Sequence, residues 1–213
     1  MSWSANGEHG ADTMSAQEPE TLEPAIVIVR HGDTEWSQNG RHTSRTDLPL
    51  LPEGREHAEA LRGMLAVRKF GRVLCSPLLR ARETCELAGL GDRMEICDNL
   101  TEWDYGDYEG LTSPQIRELD PDWNLWRDGC PGGESPAQIS ARVDGVIELA
   151  TSRHGEGDTI AFAHGHVLRV LSARWIGLEA AGGERLALAP AGVARLGHEH
   201  ATRVIERWNI SAF

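Results

Sequence analysis

Ala25-Ile26-Val27-Ile28-Val29-Arg30-His31-Gly32 is the stretch whose reading decides the fold. Its first five residues are apolar and mostly β-branched, without polar alternation, the pattern of a short strand buried on both faces. The strand ends in a cation and an imidazole, and open α/β sheets bind their ligands at that carboxyl edge. Gly32 lets the backbone turn sharply and lets a ligand come close. The pattern recurs at Thr159-Ile160-Ala161-Phe162-Ala163, which is followed by His164-Gly165-His166. Two buried strands that each end in His-Gly can bring two imidazoles into one crevice.

Outward from these strands the chain alternates. Asp33 to Leu50 reads as a polar loop. Pro52 to Arg68 reads as a helix, with Pro in its first turn and Ala58, Leu61, Met64 and Leu65 on one face. Arg72 to Cys75 is a short strand. Ser76-Pro77 predicts an N-cap and a first helical proline for a helix running to about Ala88. Met94 to Cys97 reads as a strand, and about 100–130 as an irregular insertion rich in Trp, Tyr and acids. Helices follow over Ser135 to Arg153 and Gly165 to Ile176. Arg185 to Ala189, Val193 to His198 and Arg203 to Trp208 read as strands, the last closely spaced ones as an antiparallel pair at a sheet edge. Strands alternating with helices predict an α/β fold with a mostly parallel sheet covered on both faces. Residues 1–23 lack periodicity and predict a disordered tail, leaving 24–213 as one domain.

The formal net charge is -12, which argues against nucleic acid or an anionic membrane as the main partner. Any anionic substrate then needs a local cationic pocket. Of the 21 basic residues only Lys69 is a lysine. Cys75, Cys85, Cys97 and Cys130 show no C-x-x-C spacing and read as small buried hydrophobes in a reducing compartment. With no apolar run long enough to span a bilayer and no signal-peptide pattern, a cytoplasmic location is the expectation. A homo-oligomer is left open.

The residues suit phosphoryl transfer to a histidine. That reaction needs a neutral imidazole nucleophile, cations around the phosphoryl oxygens and an acid for the leaving oxygen. His31 can be the nucleophile, with Arg30 beside it and Arg80 near the start of the helix after Ser76-Pro77. His164 can donate to the phosphoryl group or orient His31. Glu102, in Glu102-Trp103-Asp104-Tyr105-Gly106-Asp107-Tyr108-Glu109-Gly110, sits among aromatics that would desolvate it and suit it to be the general acid.

Taken together, Val29-Arg30-His31-Gly32-Asp33-Thr34-Glu35-Trp36 resembles the signature of the histidine phosphatase superfamily, which includes cofactor-dependent phosphoglycerate mutase. Ser76-Pro77-Leu78-Leu79-Arg80-Ala81-Arg82-Glu83-Thr84 is similar to that family's second arginine motif. Ala163-His164-Gly165-His166 resembles its second histidine motif and Leu100-Thr101-Glu102 its acid-bearing segment. The resemblance implies a three-layer α/β/α sandwich and a phosphohistidine at His31. It implies Arg30, Arg80 and His164 as the phosphate pocket and Glu102 as proton donor, with no metal and no cofactor.

Where the mutases carry a basic residue after the acid, this chain has Trp103 and then Asp104. Glu102 to Gly110 and the loop Arg41 to Leu50 look more like the acid phosphatase and sugar-bisphosphate phosphatase branch. The expectation is hydrolysis of a small phosphorylated metabolite, with Arg30, Arg41, His42, Thr43, Ser44, Arg80, Glu102, Trp103, Tyr105 and His166 as substrate contacts. His166 has a second reading, a hydrogen-bonded support at a helix start. Three other functions compete: mutase-type transfer, a metal hydrolase built from His31, Asp33, Glu102, His164 and His166, and a binding module without turnover. The paired arginines repel a divalent cation, and a binder needs no proton donor.

Overall fold

The computed structural model of the chain describes residues 24–152 and 157–212. The tail predicted over residues 1–23 and the end of the predicted helix at Arg153 lie outside the described residues. The strands are β1 (Ile26–Arg30), β2 (Phe70–Cys75), β3 (Met94–Ile96), β4 (Asp158–Ala163), β5 (Val193–Glu199) and β6 (Thr202–Ile210). Among the described residues they form one six-stranded sheet in the order β3-β2-β4-β1-β5-β6. The first four strands run parallel, and β5 and β6 are antiparallel at one edge.

Successive residues of the apolar strands face opposite sides of the sheet, and both sides are covered. Ile26, Ile28, Ala161 and Ala163 pack with Ile139, Val143, Leu168 and Leu171. These come from α6 (Pro136–Thr151) and α7 (Gly165–Trp175), the last two of seven helices assigned among the described residues. Val27, Val29, Ile160 and Phe162 pack with Leu61, Leu65, Ala81 and Cys85. Those belong to α2 (Pro52–Leu65) and α3 (Leu79–Leu87). The result is a three-layer α/β/α sandwich. Burial of both faces is why β1 and β4 read as unbroken apolar runs.

Several local expectations need correction. The loop after β1 contains a short helix, α1 (Glu35–Asn39), closed by a capping box between Thr34 and Ser37. The helix expected from Ser76-Pro77 begins later, with Leu78 as a cap that makes no side-chain hydrogen bond. Ser76 lies two residues before that cap, and its hydroxyl accepts from Leu78 N at 3.4 Å and meets His164 Nε2 at 2.7 Å. Asp47 Oδ1 instead accepts from Leu79 N at 2.7 Å. Arg185 to Ala189 is no strand: a 3-10 turn over Ala180–Arg185 leads into a loop. β1 already has β4 and β5 as neighbours, so that segment cannot pair beside β1. Its polar groups serve side chains, with Ala187 O accepting from Trp208 Nε1 and Leu188 O from Arg30 Nη1. The insertion contains α4 (Ser113–Leu119) and α5 (Leu125–Asp128) besides short turns.

Register positions the functional edge. Arg30 lies opposite Ala163, and Cys75 opposite Phe162. The residues that leave the sheet next are therefore neighbours: His31, His164 and Ser76. The loop after β1 is drawn against α2 at two glycines. A Cβ on Gly32 would sit 2.3 Å from Gly54 O, and one on Gly54 would sit 2.3 Å from Asp33 O.

Candidate active site

His31 stands at the end of β1 with only 5% of its surface exposed. Its Nδ1 is 2.7 Å from Gly32 O. A carbonyl only accepts, so Nδ1 carries the proton and Nε2 is left with its lone pair. Burial, then Arg80 and Arg30, push the imidazole pKa well below its usual range, so His31 is neutral. Ring centroids of His31 and His164 are 5.2 Å apart.

His164 is fully buried and its tautomer is fixed as well. Arg80 Nε donates to His164 Nδ1 at 3.0 Å, so the proton sits on Nε2 and is donated to Ser76 Oγ. Burial, followed by Arg80, keeps this histidine neutral. The Arg80 guanidinium also donates to Thr46 O, Thr43 O and Ser44 O. From the other side Glu109 accepts from Ser44 N and Thr46 N. Arg80 thus holds the loop after α1 while standing behind the histidine pair.

Glu102 is buried beside the start of α7. Its Oε1 accepts from Trp103 N and Val167 N at 2.8 Å, and its Oε2 from His166 N at 2.9 Å. α7 has no cap from its own His164, so a carboxylate from another segment takes that role at the positive end of the helix. Backbone N–H donors therefore surround Glu102, where the sequence had suggested aromatic desolvation.

These groups open on a cavity of about 230 Å³, below the roughly 300–1,000 Å³ of drug-sized ligand sites and suited to a small metabolite. Of the sequence-predicted residues, Arg30, His31, Arg41, His42, Thr43, Glu102, Tyr105 and His166 line it. Arg80 and His164 lie directly behind that wall. Three expected contacts do not line the cavity: Arg80, which is fully buried, and two others. Trp103 is fully buried, donating Nε1 to Glu134 O and packing edge-on against Trp126. Ser44 is 1% exposed and committed to Arg80 and Glu109. The His166 ring meets Tyr105 Oη at 2.6 Å, as a hydrogen-bonded support would, and it also lines the cavity. Burial lowers its pKa well below the usual range and raises that of Tyr105.

Eight lining residues were not among the predicted site residues: Thr34, Trp36, Ser37, Gly40, Ser113, Gly165, Arg169 and Leu188. Arg169 is the informative one. It lies three positions after His166 on α7, hence on the same helix face, a spacing that could have flagged it. The rival metal cluster does not assemble from its five members. Asp33 turns to His57 Nδ1 at 3.0 Å, and the lone pairs of His164 Nδ1 and Glu102 are taken by Arg80 and backbone N–H groups.

Comparison with known proteins agrees with this arrangement. The family model of the histidine phosphatase superfamily (branch 1) matches residues 26–211. An acid phosphatase of Mycobacterium tuberculosis is 43% identical over 180 residues, covering 84% of this chain and 88% of the relative. A sedoheptulose 1,7-bisphosphatase of Saccharomyces cerevisiae is 40% identical over 190 residues, covering 74% of this chain and 69% of the relative. The solved structure of a Mycobacterium tuberculosis open reading frame superposes with a TM-score of 0.85 at 39% identity, covering 89% of this chain and 99% of that one. With the paired histidines, the arginines and the acid in one crevice, the chain belongs to the histidine phosphatase superfamily.

Proposed function

We propose that this protein hydrolyses small sugar phosphates in two steps through a phosphohistidine at Nε2 of His31. The carrying observation is the state of that imidazole: neutral, with Nδ1–H held by Gly32 O and the Nε2 lone pair beside the cavity. In the first step Nε2 attacks phosphorus in line and the bond to the leaving oxygen breaks. Arg30 stabilises charge on the phosphoryl oxygens, and the buried Arg80 charge assists from behind the histidine pair. Glu102 gives a proton to the leaving oxygen. In the second step water attacks the phosphohistidine, its proton returns to Glu102, and phosphate and the neutral imidazole are released.

Two observations bear on hydrolysis against mutase chemistry. The relatives at 43% and 40% identity are named as phosphatases. Trp103, the residue after the acid, reaches no substrate because it is buried. The cavity is nonetheless cationic beyond Arg30, since Arg41 and Arg169 line it. The proposed substrate is therefore held by arginine, His42, His166 and Tyr105, without an indole platform from Trp103. Among the described residues no helix is long and apolar enough to cross a membrane. The unpaired thiols of all four cysteines suit the reducing cytoplasm.

The test is direct. Brief incubation with a ³²P-labelled phosphomonoester, then quenching in alkali, traps labelled protein whose phosphate is stable to base and lost in acid. His31→Ala abolishes both the label and turnover while the protein stays folded. A variant that keeps a sizeable share of wild-type turnover overturns the assignment.

A further inference from the structure

His42 and His166 stand side by side in the cavity wall, and each has one nitrogen left for a ligand. Their rings are parallel to within 4°, with centroids 6.0 Å apart. Both line the main cavity and a smaller pocket of about 120 Å³ beside it. Trp123 packs edge-on against His42 and Trp126 against His166, with centroids 5.6 and 5.3 Å apart. The two imidazoles are thus held in place before any ligand arrives.

Their other nitrogens are already committed, in opposite senses. His42 Nδ1 lies 2.9 Å from Leu111 O. A carbonyl only accepts, so this Nδ1 carries the proton and Nε2 is an acceptor. His166 Nδ1 lies 2.6 Å from Tyr105 Oη. Burial keeps that phenol protonated, and among the described residues its hydroxyl has no other partner. Tyr105 therefore donates to Nδ1, and the proton of His166 is on Nε2. Burial also lowers the pKa of both histidines, so neither ring holds a second proton. Neither Nε2 has a partner among the described residues, and neither is a buried atom left unsatisfied, so both reach open cavity space.

An acceptor beside a donor fits a hydroxyl, which gives its proton to His42 Nε2 and accepts from His166 Nε2. A phosphate dianion or a carboxylate only accepts and would face the His42 lone pair. An ammonium only donates and would face the His166 N–H. Glu102 Oε2 lies 4.0 Å from His166 Nδ1. The leaving oxygen that takes the Glu102 proton is therefore about one imidazole ring away from the hydroxyl at Nε2. A hydroxyl on the next carbon or the one after has that reach.

We propose that His42 and His166 form a hydroxyl-recognition site for the leaving group, with Tyr105 as the positioning residue that fixes the donor face of His166. The preferred substrates are phosphomonoesters of polyols that carry a free hydroxyl one or two carbons beyond the ester carbon. This rests on the phosphatase reading above.

The test has two arms. In the first, NMR of protein labelled with ¹⁵N-histidine reads which nitrogen of each ring is protonated, with assignments from His42→Phe and His166→Phe. Wild type shows His42 protonated at Nδ1 and His166 at Nε2, and Tyr105→Phe redistributes the His166 proton between its two nitrogens. A wild type with His166 protonated at Nδ1 would overturn the site. The second arm compares kcat/KM for glycerol 3-phosphate and propyl phosphate, which differ in their hydroxyls alone. Wild type favours the glycerol ester by about tenfold to a hundredfold, the worth of two neutral hydrogen bonds. His42→Phe, His166→Phe and Tyr105→Phe each bring that ratio towards unity. Equal losses on the two esters would make these residues structural supports and overturn the site, as would a wild type that does not distinguish the esters. A wild type with the expected tautomers but inactive on every phosphate ester would overturn the phosphatase reading, and the proposal with it.

Discussion

A histidine serves as a nucleophile when its other nitrogen is held, and at His31 the holder is the carbonyl of the next residue. The same logic places the proton of His164 on Nε2 because Arg80 can only donate. Glu102 carries two duties, capping α7 and facing the cavity. Glu102→Gln separates them. The amide oxygen still accepts from Trp103 N and Val167 N, while the amide NH2 faces His166 N and forfeits that one bond, and the group has no acidic proton to give. For a poor leaving group such as a sugar alcohol, loss of the general acid lowers kcat by about 10²–10⁴-fold. Nitrophenolate needs little protonation, so its rate falls far less. Steady-state rates on both leaving groups check this, and equal losses would assign Glu102 to positioning alone.

At the scale of elements, the register of β1, β4 and β2 sets the chemistry by aligning the ends of three parallel strands. The first of these ends is seated by contact between its loop and α2, where Gly32 and Gly54 leave no room for a side chain. Leu51 N donates to Asp33 O and Thr84 Oγ1 accepts from Gly32 N, closing the same corner. Gly54→Ala therefore pushes a Cβ into the Asp33 backbone. We expect a loss of stability of about 1–3 kcal/mol, the usual cost of overpacking, with displacement of His31. Denaturant unfolding and kcat on p-nitrophenyl phosphate read the two effects. Gly63→Ala is the control, because a Cβ there meets nothing within 4 Å. Comparable behaviour of the two variants would show that the corner yields.

At the scale of the whole molecule, His31, His42, His164 and His166 are folded around one cavity with pKa values below the ordinary 6.5, burial being the leading cause for each. As pH falls through that value the unfolded chain takes up protons that the folded one refuses. Stability therefore falls as pH drops from about 6.5 towards the folded values, by up to about 1.4 kcal/mol per pH unit for each histidine. Thermal unfolding between about pH 7.5 and pH 5 checks this, and a Tm that stays level or rises on acidification would contradict four neutral histidines. Much of this molecule was legible in its sequence for physical reasons. The burial of β1 and β4 on both faces dictates their unbroken apolar runs, and Arg30, His31, Glu102 and His164 are local types whose chemistry is narrow. What was not legible depends on distant partners. Ser76 reads as the cap until the helix starts later, after Leu78, and Arg185 to Ala189 reads as a strand until its carbonyls are taken by Trp208 and Arg30. Trp103 reads as a pocket wall until its indole finds Glu134. Arg169 reads as one of many arginines until α7 turns it into the cavity. Sequence determined the buried strands β1 and β4, the order of the motifs and the reacting groups, because these follow from local composition and periodicity. Tertiary structure alone decided which polar groups are already satisfied and which are left to face a ligand, because a hydrogen bond between residues 30 to 160 positions apart leaves no local trace.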